Sequence, residues 1–164
     1  MAATHLIKHH DQRNIVMMAG FGDDLADPRV QGWYQAFRDA NLPIGQVIRT
    51  YFTREDAYQA TIQLFEQGEP PTALFCGSDL EAIGALRAIH EYGMRIPDDI
   101  AIVSFDGTVD TLYTWPPLSA IQQDTTSIAK HAVETALNPH ASPDLQLIPV
   151  KLVVRESCGC IVVD

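Results

Sequence analysis

Residues 100–108, IAIVSFDGT, run apolar and β-branched side chains into Phe105 and then set a carboxylate, Asp106, before a glycine. A carboxylate where a buried strand stops can serve as an acid catalyst, a metal ligand, a helix cap or a hydrogen-bond acceptor for a ligand, and Asp-Gly is also a common turn dipeptide. Paired with Asp79, Asp106 would supply the two acids of glycoside chemistry, but nothing in the sequence raises either pKa. No G-x-S-x-G elbow and no phosphate loop ending in Gly-Lys-Ser/Thr is present. Gly20-Phe-Gly22-Asp-Asp-Leu25 stands where a dinucleotide loop would, yet it lacks the third glycine and puts Asp23 and Asp24 where a pyrophosphate must go. His5 and His9 are four apart on a helical segment and could grip a metal with Asp11, although histidines on a solvated helix ordinarily bind nothing. Cys158-Gly-Cys160 has the form of half a zinc site, but no second cysteine pair exists to finish the four ligands, which argues against that reading. The expectation is a protein that is not an enzyme and has neither a metal nor a cofactor.

Composition bounds what such residues can serve. The chain has 164 residues, enough for a domain of ordinary size, and 46% hydrophobic content is enough for a packed core. With 11 Lys plus Arg against 21 Asp plus Glu the formal net charge is −10, which argues against a phosphate-neutralising surface. Three cysteines, Cys76, Cys158 and Cys160, make a disulfide framework improbable and favour reduced thiols. No apolar run approaches the roughly 18 residues of a membrane span, and the N-terminal stretch lacks the features of a signal peptide. A cytoplasmic location is expected.

Periodicity then supplies the elements that would position these side chains. Apolar runs at 15–19, 46–51, 72–76 and 100–105 read as buried strands, separated by segments of helical spacing. Thr53-Arg-Glu-Asp56 caps one helix; Ser78 or Asp79 caps the next, with Asp79 favoured and Ser78 left facing the cleft. Strand, helix and strand recurring at intervals of roughly 25 to 32 residues indicate βαβ units, hence an α/β fold with an open parallel sheet flanked by helices. From Trp115 the pattern changes: WPPLSAIQQD, a helix over 125–137, the connector NPHASPD and the extended LQLIPVKLVVRES. The lone helix and strand suggest a chain that leaves one sheet, visits another and returns. His90, Tyr92, Trp33 and Trp115 read as packing or interface residues.

Ligands of an open parallel sheet bind beyond the carboxyl ends of its strands. The residues just past each predicted strand include Arg29, Phe52, Ser78, Asp79 and Asp106. A guanidinium, an aromatic face, a hydroxyl and carboxylates suit a small polar ligand, because Asp and Arg pair with hydroxyls or amides while a ring covers an apolar face.

Three stretches together, PTALFCGSDLEAIGALRAIHEYGMRIPDDIAIVSFDG, PPLSAIQQD and LVVRESCG, resemble the effector-binding domain of the lactose/galactose repressor (LacI/GalR) family of bacterial transcription regulators. The resemblance spans nearly the whole chain. It implies a periplasmic-binding-protein-like fold of two α/β subdomains with a sugar, nucleoside or related metabolite between them, and a DNA-binding helix-turn-helix elsewhere. Effector contacts would fall on Arg29, Phe52, Ser78, Asp106 and Gln123, the last added by the resemblance alone. Homodimer contacts would fall on Ile83, Leu86 and Arg87 and on the segment carrying Tyr113 and Trp115. The chain would divide into residues 1–121 of the C-terminal subdomain, a crossover helix and strand at 122–150 belonging to the N-terminal subdomain, and a return strand and tail at 151–164. The helix-turn-helix and most of the N-terminal subdomain would be absent, so binding by this portion alone is expected to be weak. Asp11-Gln12 replaces a common Gly-His pair, a change that bears on a turn. Fusion to another signalling output, or a periplasmic solute receptor, are the alternatives.

Overall fold

The computed structural model describes residues 1–24, 26–138 and 146–160. Its centre is a six-stranded sheet in the order β2-β1-β3-β4-β5-β6. The strands are β1 (Ile15–Gly20), β2 (Val47–Thr50), β3 (Ala73–Cys76), β4 (Ala101–Asp106), β5 (Ser119–Gln122) and β6 (Lys151–Val153). The first five are mutually parallel, with β1 pairing β2 from Met17↔Val47 and β3 from Ile15↔Ala73. Helices α1 (Ala2–His9) and α2 (Pro28–Asp39) cover one face; α3 (Arg54–Glu66) and α4 (Asp79–Glu91) cover the other.

The period of two along the strands explains this sandwich. Ile15, Met17 and Ala19 of β1, Ala73 and Phe75 of β3, and Ala101 and Val103 of β4 all pack into the core under α1 and α2. Their neighbours Val16, Met18, Leu74, Cys76 and Ile102 pack under α3 and α4. Trp33 is 1% exposed in the first core, its indole N–H donating to the Gly45 carbonyl at 3.2 Å, so it is a packing residue. Trp115 is 80% exposed.

Caps set the helix starts. Asp27 accepts from the Arg29 amide at 2.9 Å ahead of Pro28, and Thr53 accepts from Asp56 at 3.1 Å. At α4 the cap is Ser78, which accepts from the Glu81 amide at 3.1 Å, and not Asp79. Asp79 lies inside the first turn, 2% exposed, where it accepts from the Ser104 hydroxyl at 2.6 Å and from the Thr108 amide at 2.7 Å. A carboxylate so well supplied with donors is more use anchoring the β4 loop than capping its own helix.

The last strand departs from the parallel expectation. β6 runs antiparallel to β5, with Gln122↔Lys151 and Ala120↔Val153. A parallel return needs a crossover packed on this sheet, and helix α5 (Thr125–Leu137) has no buried residue. The chain therefore re-enters at the edge it left. Residues 146–150, expected as part of a crossover strand, form no regular structure, and the NPHASPD connector after Asn138 lies outside the described residues.

Candidate functional site

Because β1 to β5 are parallel, their carboxyl ends share one edge, where Gly20 and Asp106 close their strands and Phe52, Gly77-Ser78 and Gln123 follow theirs. Arg29, in the first turn of α2, reaches over that edge. Its Nε and Nη2 donate to Asp27 at 3.0 and 2.8 Å, and Nη1 donates to the Gly77 carbonyl at 2.8 Å. Asp27 holds the Arg29 pKa above its usual value and is itself lowered by Arg29. The guanidinium carbon lies 4.8 Å from the Phe52 ring centre and 5.6 Å from that of Phe105, so the charge is sandwiched by aromatic faces.

Asp106 faces the same space. Its Oδ1 accepts from Gln123 Nε2 at 2.7 Å, and Oδ2 takes a long contact of 3.4 Å from the Asp79 amide. Burial pushes its pKa up, opposed in part by the Asp79 amide, Gln123 and Arg29. Gln123 also donates its backbone N–H to the Asp106 carbonyl at 3.0 Å, which locks the pair. Phe52 and Asp106 both have left-handed backbones, with φ of 58° and 113°. For non-glycine residues this is stored strain, and it concentrates where the surrounding structure fixes side chains for a purpose. At Gly20 any Cβ would stand 2.1 Å from the Phe52 ring, so that glycine is required for the ring to lie across the end of β1.

The five sequence-predicted contacts thus form one neighbourhood. Ser78 belongs to it but is 7% exposed, its hydroxyl accepting from the Glu81 amide and donating to Glu81 Oε2 at 3.2 Å. Glu81 went unnoticed in the sequence. It is 0% exposed beneath the site, accepts from the Thr50 hydroxyl as well, and burial raises its pKa. The Ser-x-x-Glu spacing of a capping box was the available signal. Asp24 joins Tyr34, at 2.5 Å, to Arg49, so its carboxylate ties the loop after β1 to α2 and β2. A depression of about 500 Å³ opens beside Arg29, lined by Gly22, Asp23, Asp27, Pro28 and Phe105 among others. The chemistry available is binding: donors from Arg29, acceptors from Asp106, and an aromatic wall.

Among the expected dimer residues, Tyr113 is 83% exposed and Arg87 is exposed beside Tyr58 and Glu91, whereas Ile83 is half-buried. Leu86 is buried in the core under α3 and α4, so its side chain is committed within the chain and is not surface. The His5, His9 and Asp11 set, weighed and disfavoured as a metal grip from sequence, does not assemble: the His5 and His9 rings lie 5.2 Å apart, but His9 is exposed and Asp11 pairs with Arg13. His5 turns instead toward His10, Cys158 and Cys160. Sequence spacing could not reveal this, because the cysteines lie 150 or more residues from the histidines.

The periplasmic binding protein-like domain family matches residues 3–158. The chain is 31% identical over 166 residues to the HTH-type transcriptional repressor PurR of Haemophilus influenzae strain PittEE, covering 96% of this chain and 49% of that protein. It is 33% identical over 162 residues to the ribose operon repressor of Haemophilus influenzae Rd, covering 94% and 49%. The chain therefore spans about half the length of the curated relatives it matches. Among solved structures, the lac repressor dimer bound to operator and the anti-inducer ONPF superposes with a TM-score of 0.84 at 30% identity, covering 96% of this chain and 48% of that one. These relatives are repressors.

Proposed function

We propose, for a chain that belongs to the periplasmic binding protein-like family and within it to the effector-binding domains of LacI/GalR regulators, that the carboxyl edge of its parallel sheet is one wall of an effector site. The ligand is a sugar, nucleoside or related polar metabolite. The observation carrying this reading is the convergence of Arg29, Phe52, Asp106 and Gln123 at that edge, with Phe52 and Asp106 in strained backbones. Of five guanidinium N–H donors, Arg29 uses three within the chain, leaving two for a ligand. Asp106 retains free lone pairs for hydroxyl donors. Ser78 supports the wall through Glu81.

In this reading residues 1–121 and the return segment from 151 form one subdomain, while residues 122–150 belong to a second subdomain that supplies the opposite wall. Effector binding would favour the closed arrangement and thereby change operator affinity in a separate DNA-binding portion. A net charge of −10 fits a portion that does not itself hold DNA. Association as a homodimer would use Tyr113, Trp115, Arg87 and Ile83, by likeness to the dimeric lac repressor.

The test is a thermal-shift screen of sugars, nucleosides and nucleobases on the full-length regulator, followed by calorimetry on the hit. Arg29→Ala and Asp106→Asn should each weaken binding about 10- to 100-fold, the loss of about 1.5–3 kcal/mol of charge-assisted hydrogen bonding. This chain alone should bind far more weakly than the full protein. Unchanged affinity in both variants would overturn the site.

A further inference from the structure

The geometry points to a tetrahedral zinc site formed by His5, His10, Cys158 and Cys160, joining helix α1 to the C-terminal turn at the end of the sheet opposite the effector wall. The four ligand atoms lie within 4.8 Å of one another. His5 Nε2 is 3.2 Å from His10 Nε2, 3.4 Å from Cys158 Sγ and 3.6 Å from Cys160 Sγ, and Cys160 Sγ is 3.2 Å from His10 Nε2. Ligands around zinc, with nitrogen at about 2.0–2.1 Å and sulfur at about 2.3 Å, lie about 3.3–3.8 Å apart in a tetrahedron. Four of the six separations, 3.2–3.6 Å, lie at or just inside that spacing, and the other two are within 4.8 Å.

Hydrogen bonding alone accounts poorly for this cluster. A neutral imidazole nitrogen makes one hydrogen bond, yet His5 Nε2 has three polar neighbours at such range. One cation at the common centre satisfies all four atoms together. Two thiolates and two imidazoles in this arrangement select zinc among abundant divalent ions, and binding releases the two thiol protons.

The local fold is built for convergence. Gly159 has φ 92°, so the chain reverses between the cysteines and aims both sulfurs to one side. A Cβ there would also lie 3.4 Å from the His10 ring. Cys158 is 1% exposed and His5 9%, which shields the centre, while His10 and Cys160 are half-buried and leave a path for the ion. The turn is itself anchored, since the Ser157 hydroxyl donates to the Ile102 carbonyl at 2.7 Å and accepts from the Ser119 amide at 2.8 Å.

The test uses the untagged chain purified under reducing conditions. Elemental analysis should find equimolar zinc, falling to background in Cys160→Ser and in His10→Gln. Because either variant could fold poorly, the wild type is also stripped and titrated with cobalt. One equivalent should produce the intense visible absorption of a tetrahedral, thiolate-bound ion. Chelator should lower the melting temperature of the wild type and leave that of a folded Cys160→Ser unchanged. A folded wild type that retains no zinc and gives only the faint spectrum of hydrated cobalt would sink the assignment, as would a Cys158–Cys160 disulfide in the reduced preparation.

Discussion

At the residue scale, the proposed effector wall rests on a buried carboxyl, that of Glu81. Glu81 is fully buried, and burial lifts its pKa against the hydrogen bonds from Thr50 and Ser78 and the charge of Arg29. A carboxyl that binds its proton more tightly folded than unfolded loses stability as it ionises, from the ordinary carboxylate range up through its folded value. Glu81→Gln has nothing to ionise, so its stability relative to wild type should rise as pH increases through that interval. Urea unfolding at stepped pH measures this, and a pH-independent difference would contradict it. The placement of Arg29, Phe52 and Asp106 at the carboxyl edge was legible because each follows a predicted strand. Glu81 was not, since a charged residue in an amphipathic helix reads as solvent-facing until the cap places it inward. Asp79 misled for a related reason: its partners Ser104 and Thr108 are 25 and 29 residues away.

At the element scale, strands β1 to β4 and helix α5 stand where alternating apolar runs and cap signals set them, because these are short-range properties. The orientation of β6 depends on where the chain has been between Gln122 and Lys151, which no local pattern encodes. Helix α5 keeps its N-cap, with Asp124 accepting from the Ser127 amide at 3.0 Å, but Ile128, Val133 and Leu137 are 40%, 58% and 76% exposed. Its apolar face contributes nothing to this sheet. Val133→Glu should therefore change the unfolding free energy of this chain by less than about 0.5 kcal/mol. Under the proposed two-subdomain arrangement a second subdomain covers this face, and in a longer protein of that kind the same substitution should destabilise by about 1–3 kcal/mol. Paired urea titrations check both arms.

At the scale of the whole molecule, the proposed effector wall and the proposed dimer contacts occupy separate surfaces. The effector wall lies at the carboxyl edge, whereas Tyr113 and Trp115 stand out from the turn between β4 and β5 at 83% and 80% exposure. Large aromatic side chains so exposed are typical anchors of association, worth about 2 kcal/mol or more each when buried centrally. Replacing both by alanine should shift sedimentation from dimer to monomer at concentrations where the wild type associates. The family resemblance pointed to this turn, but it also pointed to Leu86, which the core under α3 and α4 claims. A helix without buried contacts has a further consequence. Opening α5 is opposed by little more than its own hydrogen bonds, so trypsin should cut first after Lys130, before reaching the arginines at the sheet edges. The nicked protein should nevertheless elute as one particle, because β6 remains zipped to β5 and Arg155 is still bonded to Ser119.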